Sequence, residues 1–177
     1  MTMCTRIEVL YDQQTIRNRI RTIADFINKD YEDKDNIVLL CVLKGASHFF
    51  SELSLMIETD QLQYEFVGLS SYEGTETTGN VKLTTELPNL KGKHVIIVED
   101  IVDTGISMQY LKRELGQQWP LSVKICTLLD KPSRRKVEVE PDYVVFEIPD
   151  YFVVGYGLDY NEQYRNLPYI GTFEQWS

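Results

Sequence analysis

Cysteines are few and long apolar runs are missing from this chain of 177 residues. Cys4, Cys41 and Cys126 are too few and too scattered for a disulfide framework, and the last two lie inside apolar segments, where cysteine behaves as a small hydrophobic residue. No segment approaches the ~20 apolar residues of a membrane-spanning helix, and Met1 to Leu10 contains no apolar stretch of signal-peptide length. These absences favour a cytoplasmic protein with free thiols and no membrane partner.

Positive charge is also scarce, because 18 Lys and Arg residues stand against 27 Asp and Glu residues and give a net charge of -9. This is the wrong sign for a protein that grips phosphate backbones, so we expect no nucleic acid partner. The deficit is greatest from Glu138 to Ser177, where Arg165 is the single base. A hydrophobic content of 43% and a charged content of 25% are typical of a globular chain and predict one domain over residues 1–177.

Two common phosphate-binding motifs are missing as well. The sequence contains no G-x-x-x-x-G-K-[ST], and no G-x-G-x-x-G follows a predicted strand. Both absences weaken the case for a P-loop nucleotide hydrolase or a dinucleotide-binding enzyme.

The apolar periodicity that is present predicts alternating helices and strands. Asp12 is a plausible N-cap for a helix over 13–28, and the continuous apolar run 37–43 is typical of a strand covered on both faces. Further segments with strand or helix patterns follow: a helix from about Phe49 to Ile57, strands over 64–69, 81–85, 94–98, 121–129, 142–146 and 152–154, and a helix over 107–118. This alternation predicts an α/β fold. The polar connection between Leu69 and Val81 is long, which is typical of a functional lid or a mobile loop.

The most informative stretch is 94–108, in which a buried strand runs into two acids, Glu99 and Asp100. A short loop then opens a helix, with free backbone N–H groups, a glycine that permits close approach, and two hydroxyl donors. We interpret this loop, Asp103 to Ser107, as a phosphate site. In an isolated D-T-G-x-S motif, Asp103 or Ser107 could equally be a plain helix cap, but the two acids directly upstream favour the phosphate site.

Residues 95–107 resemble the phosphoribosyl-pyrophosphate (PRPP) signature of type I phosphoribosyltransferases. The resemblance extends along most of the chain and is closest to the hypoxanthine-guanine phosphoribosyltransferases, in a compact bacterial-like form. It is carried by four further segments: 42–45 resembles the family's pyrophosphate loop, 70–72 the start of its mobile catalytic loop, 129–131 its purine-reading strand end, and 146–165 its purine and pyrophosphate region.

The resemblance implies a fold and a reaction. The fold would be a central, mostly parallel sheet flanked by helices, with a small hood formed from the N-terminal and C-terminal segments and a mobile loop at about 70–80. The reaction would be the Mg²⁺-dependent transfer of 5-phosphoribosyl from PRPP to N9 of a 6-oxopurine, giving a nucleotide and pyrophosphate. Family membership also implies a homodimer or a homotetramer.

The resemblance further assigns roles in binding PRPP. Glu99 and Asp100 would hold the ribose hydroxyls, directly or through Mg²⁺, and Asp103 would lie near purine N7 as the catalytic proton acceptor. The ribose and 5'-phosphate site as a whole comprises Glu99, Asp100, Ile101, Asp103, Thr104, Gly105, Ile106 and Ser107. Several relatives have a basic residue where this chain has Ile106, so the loop has one fewer cation near the phosphate.

Pyrophosphate would be bound by Lys44, Gly45 and Arg165, and in the family the peptide before this lysine can be cis. Without the family, Lys44 would be read as a solvated strand end and Arg165 as a structural ion pair. Asp159 would bind a Mg²⁺ bridging pyrophosphate oxygens, next to the purine. The metal-binding residues implied are therefore Glu99, Asp100 and Asp159. Arg135 could lie near the same site.

The purine would be bound by Lys131, Phe152, Val153 and Asp159. The Lys131 ammonium would donate to O6, which favours 6-oxopurines over the amino group of adenine. Phe152 would stack on the base and Val153 would offer backbone groups to its edge. Otherwise Lys131 belongs to a surface basic cluster and Phe152 to the core.

The predicted lid spans Ser70 to Asn80, and Ser71 and Tyr72 are its expected functional residues. It is unusually acidic, with Glu73 and Glu76. A lid has a physical purpose, because an oxocarbenium-like centre exposed to water would be hydrolysed. Two alternatives remain open: a regulator on the same fold that senses PRPP or nucleotides, and a related enzyme specific for xanthine or guanine.

Overall fold

The computed structural model describes residues 6–72 and 80–173, and the side chains of all of these except 71, 72 and 80. Its helices are α1 (Gln13–Asp30), α2 (Ser47–Ser54) and α3 (Ile106–Gly116). Its strands, in chain order, are β1 (Ile7–Tyr11), β2 (Ile37–Leu43), β3 (Gln63–Tyr72), β4 (Asn80–Leu83), β5 (His94–Val102), β6 (Ser122–Asp130), β7 (Tyr143–Glu147), β8 (Val153–Val154) and β9 (Ile170–Phe173). One short 3₁₀ turn, Pro132–Arg134, follows β6.

The main sheet has six strands in the order β4-β3-β2-β5-β6-β7. All its pairs are parallel except β3 with β4, which is antiparallel. β2 has the predicted bounds, and its side chains alternate between two buried clusters, Leu39 and Cys41 on one face and Val38 and Leu40 on the other. A strand buried on both faces is what a parallel sheet between layers requires. The predicted α/β fold is therefore confirmed.

α1 covers one face of this sheet and begins where the sequence predicts. The Asp12 carboxylate accepts a hydrogen bond from the Thr15 backbone N–H at 2.8 Å, which satisfies one of the unpaired donors of the first turn. Ile16, Ile20 and Ile27 are fully buried on its inner face. The helix runs two residues further than predicted, because Tyr31 at its C-cap is itself buried and keeps the last turn packed.

A second, three-stranded antiparallel sheet has the order β1-β9-β8. It joins opposite ends of the described chain, with Ile7 paired to Phe173 and Val153 to Thr172. The sequence patterns do not predict β1 or β9. The single domain with a hood made from both ends of the chain stays a prediction.

Several element boundaries differ from the predicted ones. β5 extends to Val102 instead of ending at 98, α3 ends at Gly116, and α2 ends at Ser54, so that Met56 is buried outside the helix. The predicted strand at 152–154 is shortened to β8, and Phe152 precedes it.

The two cysteines in the described residues, Cys41 and Cys126, are buried free thiols, as predicted, and burial raises the pKa of Cys41 to about 12. Cys4 lies outside the described residues. Within the described ranges, no helix is both long and apolar enough to cross a membrane.

Candidate active site

Glu99 and Asp100 lie within β5, not beyond its end, because the strand continues to Val102. The Asp100 backbone N–H donates to Glu99 Oε1 at 3.0 Å, and the Ile101 N–H donates to Asp100 Oδ1 at 2.8 Å. Each carboxylate is thus held by the backbone of the next residue. The two acids occupy the carboxyl-end half of a central parallel strand, the edge where open α/β sheets bind ligands.

Burial raises the pKa of both acids, Glu99 and Asp100. It raises the pKa of Asp100, an effect that the Arg165 guanidinium partly offsets. The pKa of Glu99 is raised well above its ordinary range, first by burial and then by the negative charge of Asp100. The adjacent carboxyls of buried Glu99 and partly buried Asp100 therefore favour binding of a cation or of hydroxyl donors.

The phosphate loop that follows β5 is open to ligand. Gly105 is the N-cap of α3 with a φ of 82°, and neither Asp103 nor Ser107 caps the helix with its side chain, so neither has the capping role that is the plain alternative. The Ile106 N–H makes a long contact of 3.4 Å to Thr104 Oγ1. A cavity of ≈ 210 Å³ is lined by Glu99, Asp100, Ile101, Val102, Asp103, Thr104, Gly105, Ser107 and Met108. The Ile106 side chain does not line this cavity.

Three segments distant in sequence meet at Gly45. A Cβ on Gly45 would lie 1.7 Å from Asp100 Oδ2, and a Cβ on Gly157 would lie 2.0 Å from the Gly45 carbonyl oxygen. Only residues without side chains fit these positions. The Leu43–Lys44 peptide is cis, as the resemblance allowed. The predicted pyrophosphate loop and the PRPP acids are therefore direct neighbours.

Lys44 and Arg165 are joined through one carboxylate. Lys44 Nζ lies 2.7 Å from Glu162 Oε2, and Arg165 Nη2 lies 3.1 Å from Glu162 Oε1. Arg165 also pairs with Asp159 Oδ1 at 3.2 Å and donates from Nη1 to the Gly157 carbonyl at 2.7 Å. The interpretation of Arg165 as an ion-pair partner therefore agrees with its contacts in this structure.

A second chain of charges runs from Asp103 to Lys131. Arg134 Nε lies 3.1 Å from Asp103 Oδ1, and Arg134 Nη1 lies 3.3 Å from Asp150 Oδ2. The other oxygen of Asp150 lies 3.3 Å from Lys131 Nζ. The Lys131 side chain is only 9% exposed, so this residue is not a member of a surface cluster.

Arg135 lies behind the phosphate loop. Its side chain is 10% exposed, pairs with Asp130 at 2.6 Å, and donates to the backbone carbonyls of Val102 and Asp103. The Cδ atom of the same side chain would lie only 2.9 Å from a Cβ on Gly105. Arg135 therefore stabilises the phosphate loop through its backbone carbonyls.

Phe152 and Val153 lie in different environments. Phe152 is 36% exposed, and its ring is edge-on to Tyr160, with centroids 5.6 Å apart. Val153 is buried in β8, and its neighbour in β9, Thr172, donates its hydroxyl to the Phe152 carbonyl at 2.8 Å. The interpretation of Phe152 as a core residue is therefore wrong. The backbone of Ser71 and Tyr72 ends β3, and the rest of the predicted lid up to residue 79 lies outside the described residues.

Across the described ranges, no group of three or more His, Cys, Asp or Glu residues is placed to hold a metal ion by itself. The available oxygen donors are the Glu99–Asp100 pair and, separately, Asp159, whose Oδ2 accepts from the Glu162 N–H at 2.9 Å. One or two carboxylates completed by substrate oxygens is the usual protein site for Mg²⁺. The donor set therefore fits a Mg²⁺ ion that arrives with a phosphate substrate.

The sequence interpretation does not single out Asp150 or Glu162, and it treats Arg134 only as one member of a basic cluster. For Asp150, the available signal is its place in the segment that resembles the purine region. For Glu162, the signal is an acid three residues before the single base of an acidic segment.

Residues 7–161 match the family model of the phosphoribosyl transferase domain, so the fold and the site belong to a phosphoribosyltransferase. The chain is 42% identical over 170 residues to a hypoxanthine-guanine phosphoribosyltransferase of Streptococcus thermophilus, covering 95% of this chain and 93% of that one. It is also 42% identical over 169 residues to the hypoxanthine-guanine-xanthine phosphoribosyltransferase of Tritrichomonas foetus, covering 94% and 91%.

A crystal structure of a hypoxanthine-guanine phosphoribosyltransferase from Bacillus anthracis superposes with a TM-score of 0.89 at 43% identity, covering 94% of this chain and 99% of that chain. The chain therefore belongs to the hypoxanthine-guanine phosphoribosyltransferase family, which is a group of glycosyltransferases. Enzymes of this kind are generally metal-dependent.

Proposed function

We propose that this protein is a purine-salvage enzyme that transfers the 5-phosphoribosyl group of PRPP to N9 of hypoxanthine or guanine and releases pyrophosphate. The observation that carries the proposal is the contact between Gly45 and the Asp100 carboxylate, since it joins the two segments expected to bind opposite ends of PRPP. The family relationship supports the same reaction.

The phosphate loop is proposed to bind the 5'-phosphate of PRPP. The backbone N–H groups at the start of α3 and the hydroxyls of Thr104 and Ser107 are suitable donors for a dianion. Glu99 and Asp100 would accept hydrogen bonds from the ribose hydroxyls. Lys44 and Arg165 would bind the pyrophosphate at the other end of the substrate.

The carboxylates Glu99, Asp100 and Asp159 are proposed to hold Mg²⁺ together with oxygens of PRPP. When bound, this ion would neutralise the charge of the departing pyrophosphate. The carboxyl pair of β5 would also stabilise the positive charge that develops at C1'.

In the proposed reaction, N9 of the purine forms a bond to C1' as the bond from C1' to pyrophosphate breaks. The bonding electrons leave with the pyrophosphate oxygen, and the purine loses its N7 proton to the Asp103 carboxylate. Two observations support this role: Asp103 lines the cavity, and Arg134 Nε donates a hydrogen bond to its Oδ1 at 3.1 Å. The Lys131 ammonium would donate to O6 of the base, Phe152 would stack on the ring, and Val153 would offer backbone groups.

The proposal is tested by an ultraviolet assay of the purified protein with PRPP, Mg²⁺ and, separately, hypoxanthine, guanine, xanthine and adenine. We expect turnover of 6-oxopurines and none of adenine. Asp103→Asn should lower kcat by about 10²–10⁴-fold, the usual contribution of a positioned proton acceptor. Lys131→Ala should lose most of the preference for 6-oxopurines.

Two exposed residues provide matched controls for this assay. Asp25→Asn on α1 and Lys112→Ala on α3 remove the same charges away from the cavity and should leave the rates unchanged. Binding of PRPP without turnover of any base would overturn the enzymatic proposal and favour the regulator. No observation on the described residues favours that regulator, and the relatives named above are all transferases.

The assay also addresses xanthine, which the name of the Tritrichomonas foetus relative includes. We further propose that the protein acts in the cytoplasm as a homodimer or homotetramer, with no nucleic acid or membrane partner. Light scattering coupled to size-exclusion chromatography would report the mass of the assembly and contradict this proposal if it gave a monomer.

A further inference from the structure

We propose that Asp150 is a positioning residue that serves two parts of the site at once: its carboxylate holds the Lys131 ammonium at the base-binding position and the Arg134 guanidinium against Asp103. The inference rests on the proposed function, because Lys131 and Asp103 are assigned to the purine there. Asp150 itself has no assigned role in the reaction.

Lys131 creates the need for such a residue. Its side chain is 9% exposed, and an ammonium removed from water is costly unless a carboxylate pairs with it. The ion pair that the structure gives Lys131 is with Asp150 Oδ1 at 3.3 Å. A purine O6 is a neutral acceptor, so it can share the three ammonium donors with Asp150 but cannot replace its charge.

The two oxygens of Asp150 have separate tasks. Oδ1 faces Lys131, and Oδ2 lies 3.3 Å from Arg134 Nη1, while Arg134 Nε reaches Asp103. With a cation on each oxygen, the carboxylate plane cannot turn without breaking one contact. Asp150 thereby fixes the position of Lys131, which is proposed to contact the base, and of Arg134, which contacts Asp103.

Backbone hydrogen bonds anchor both partners at the ends of neighbouring strands. The Lys131 N–H donates to the Val102 carbonyl at 2.9 Å, at the end of β5. The Ile148 N–H donates to the Asp130 carbonyl at 2.9 Å, which ties the segment carrying Asp150 to the end of β6. Asp150 therefore acts from a fixed position, although its own side chain is 51% exposed.

The test is steady-state kinetics of Asp150→Asn with hypoxanthine and PRPP varied in turn. The asparagine amide has nearly the same shape but only one acceptor oxygen. Its NH₂ group must therefore face either Lys131 or Arg134, and neither of these cations can accept a hydrogen bond. We expect the KM for hypoxanthine to rise about tenfold, as for loss of a charged hydrogen bond, and the KM for PRPP to change less than about twofold. Asp150→Glu, which keeps the charge, should recover part of the loss.

A double-mutant cycle distinguishes positioning from general destabilisation. If Asp150 acts through Lys131, Asp150→Asn should change the hypoxanthine KM little in a Lys131→Ala background. Arg134→Gln should lower kcat more than it changes the hypoxanthine KM, because it removes the contact with Asp103 and leaves the Asp150 contact with Lys131 in place. Asp25→Asn, the same change of side chain at an exposed acid of α1, is the matched control and should behave as the unmodified protein.

A hypoxanthine KM unchanged in Asp150→Asn, or raised equally in both backgrounds, would overturn the inference while leaving the proposed function standing. Absence of turnover in the unmodified protein would instead remove the proposed function, and this inference with it. If Asp150→Asn does not fold by circular dichroism, Asp150→Glu and Arg134→Gln carry the decision through the same KM and kcat comparison.

Discussion

At the scale of single residues, the site depends on a glycine, because the position of Gly45 leaves no room for a Cβ atom. Gly45 has no side chain, and a Cβ there would overlap Asp100 Oδ2 at 1.7 Å. Gly45→Ala must therefore displace either the Asp100 carboxylate or the loop that carries Lys44. Because displacements of about 1 Å can cost about 10²-fold in rate, we expect kcat/KM for PRPP to fall by about 10- to 100-fold.

Gly116→Ala is the matched control for that change, since a Cβ on Gly116 would meet nothing within 4 Å and the residue ends α3. Both variants are measured by PRPP kinetics and by thermal melting. Equal kinetics for Gly45→Ala and Gly116→Ala would contradict the importance of the close contact.

Glu99 is a second residue-scale case, in which stability and activity oppose each other. The folded protein raises the pKa of this buried acid well above its unfolded value, so the acid favours folding only at low pH and costs stability as pH rises. Glu99→Gln should therefore raise the free energy of unfolding at pH 7, because the amide is neutral at every pH and has no buried charge. It should also lower activity with PRPP.

Urea unfolding at several pH values checks the sign of this effect. The advantage of Glu99→Gln should shrink as pH falls toward the pKa of an unfolded glutamate, because the native acid is then protonated in both states. A variant less stable than the native protein at pH 7 would contradict the argument.

At the scale of elements, the phosphate loop between β5 and α3 relies on Arg135. This arginine is buried, pairs with Asp130, and donates to two loop carbonyls. Arg135→Met leaves the Asp130 carboxylate buried without a partner, so we expect a loss of about 3–5 kcal/mol in the free energy of unfolding.

The matched control for Arg135 is Arg113→Met on α3, where the ion pair with Glu114 is exposed and should be worth less than about 1 kcal/mol. The double variant Asp130→Leu/Arg135→Met should recover part of the loss, because no unpaired charge remains. Chemical denaturation measures all three, and similar losses for Arg135→Met and Arg113→Met would contradict this role.

The elements also show which parts of the fold a sequence can predict. β2 and the start of α1 follow from local patterns, a continuous apolar run and an N-cap, and both lie where these patterns place them. β1 and β9 are short, and β1 pairs only with β9, more than 150 residues away, which no local pattern records. β8 is likewise defined by its pairing with β9.

In the candidate site, too, some features follow from local sequence and others depend on contacts between distant segments. The loop of Asp103 to Ser107 is contiguous, so its character could be predicted from an acid pair and a helix start. The contact of Gly45 with Asp100, and the charge chain through Asp150, depend on how strand ends align across the sheet. The roles of these residues stay predictions until they are measured.

At the scale of the whole molecule, the segment between β3 and β4 is the expected lid. The two strands pair antiparallel up to Tyr72 and Asn80, so the ends of the segment are held side by side. Deleting 74–78 leaves Glu73 and Gly79 between them, the length of a two-residue hairpin loop. The main sheet should therefore tolerate the deletion.

We expect this deletion to lower kcat by about tenfold or more, with the dissociation constant of the purine changed by less than about twofold, because a lid excludes water from the reacting centre without holding the base. Stopped-flow turnover and equilibrium binding measure the two quantities. Turnover equal to that of the full-length protein would contradict the assignment of a lid.

The bridge from Lys44 through Glu162 to Arg165 has a consequence for the salt dependence of the whole enzyme. Glu162 already pairs with both cations, so an incoming anion must displace the Glu162 carboxylate from Lys44 and Arg165 in order to bind them. Such an exchange leaves Lys44 and Arg165 paired with an anion before and after binding, and the pair that it breaks at Lys44 is exposed and individually weak. Binding of a polyanion at this point should therefore respond to ionic strength less steeply than the presence of two cations suggests, and Glu162 would again serve as the counter-ion of Lys44 and Arg165 when the product leaves.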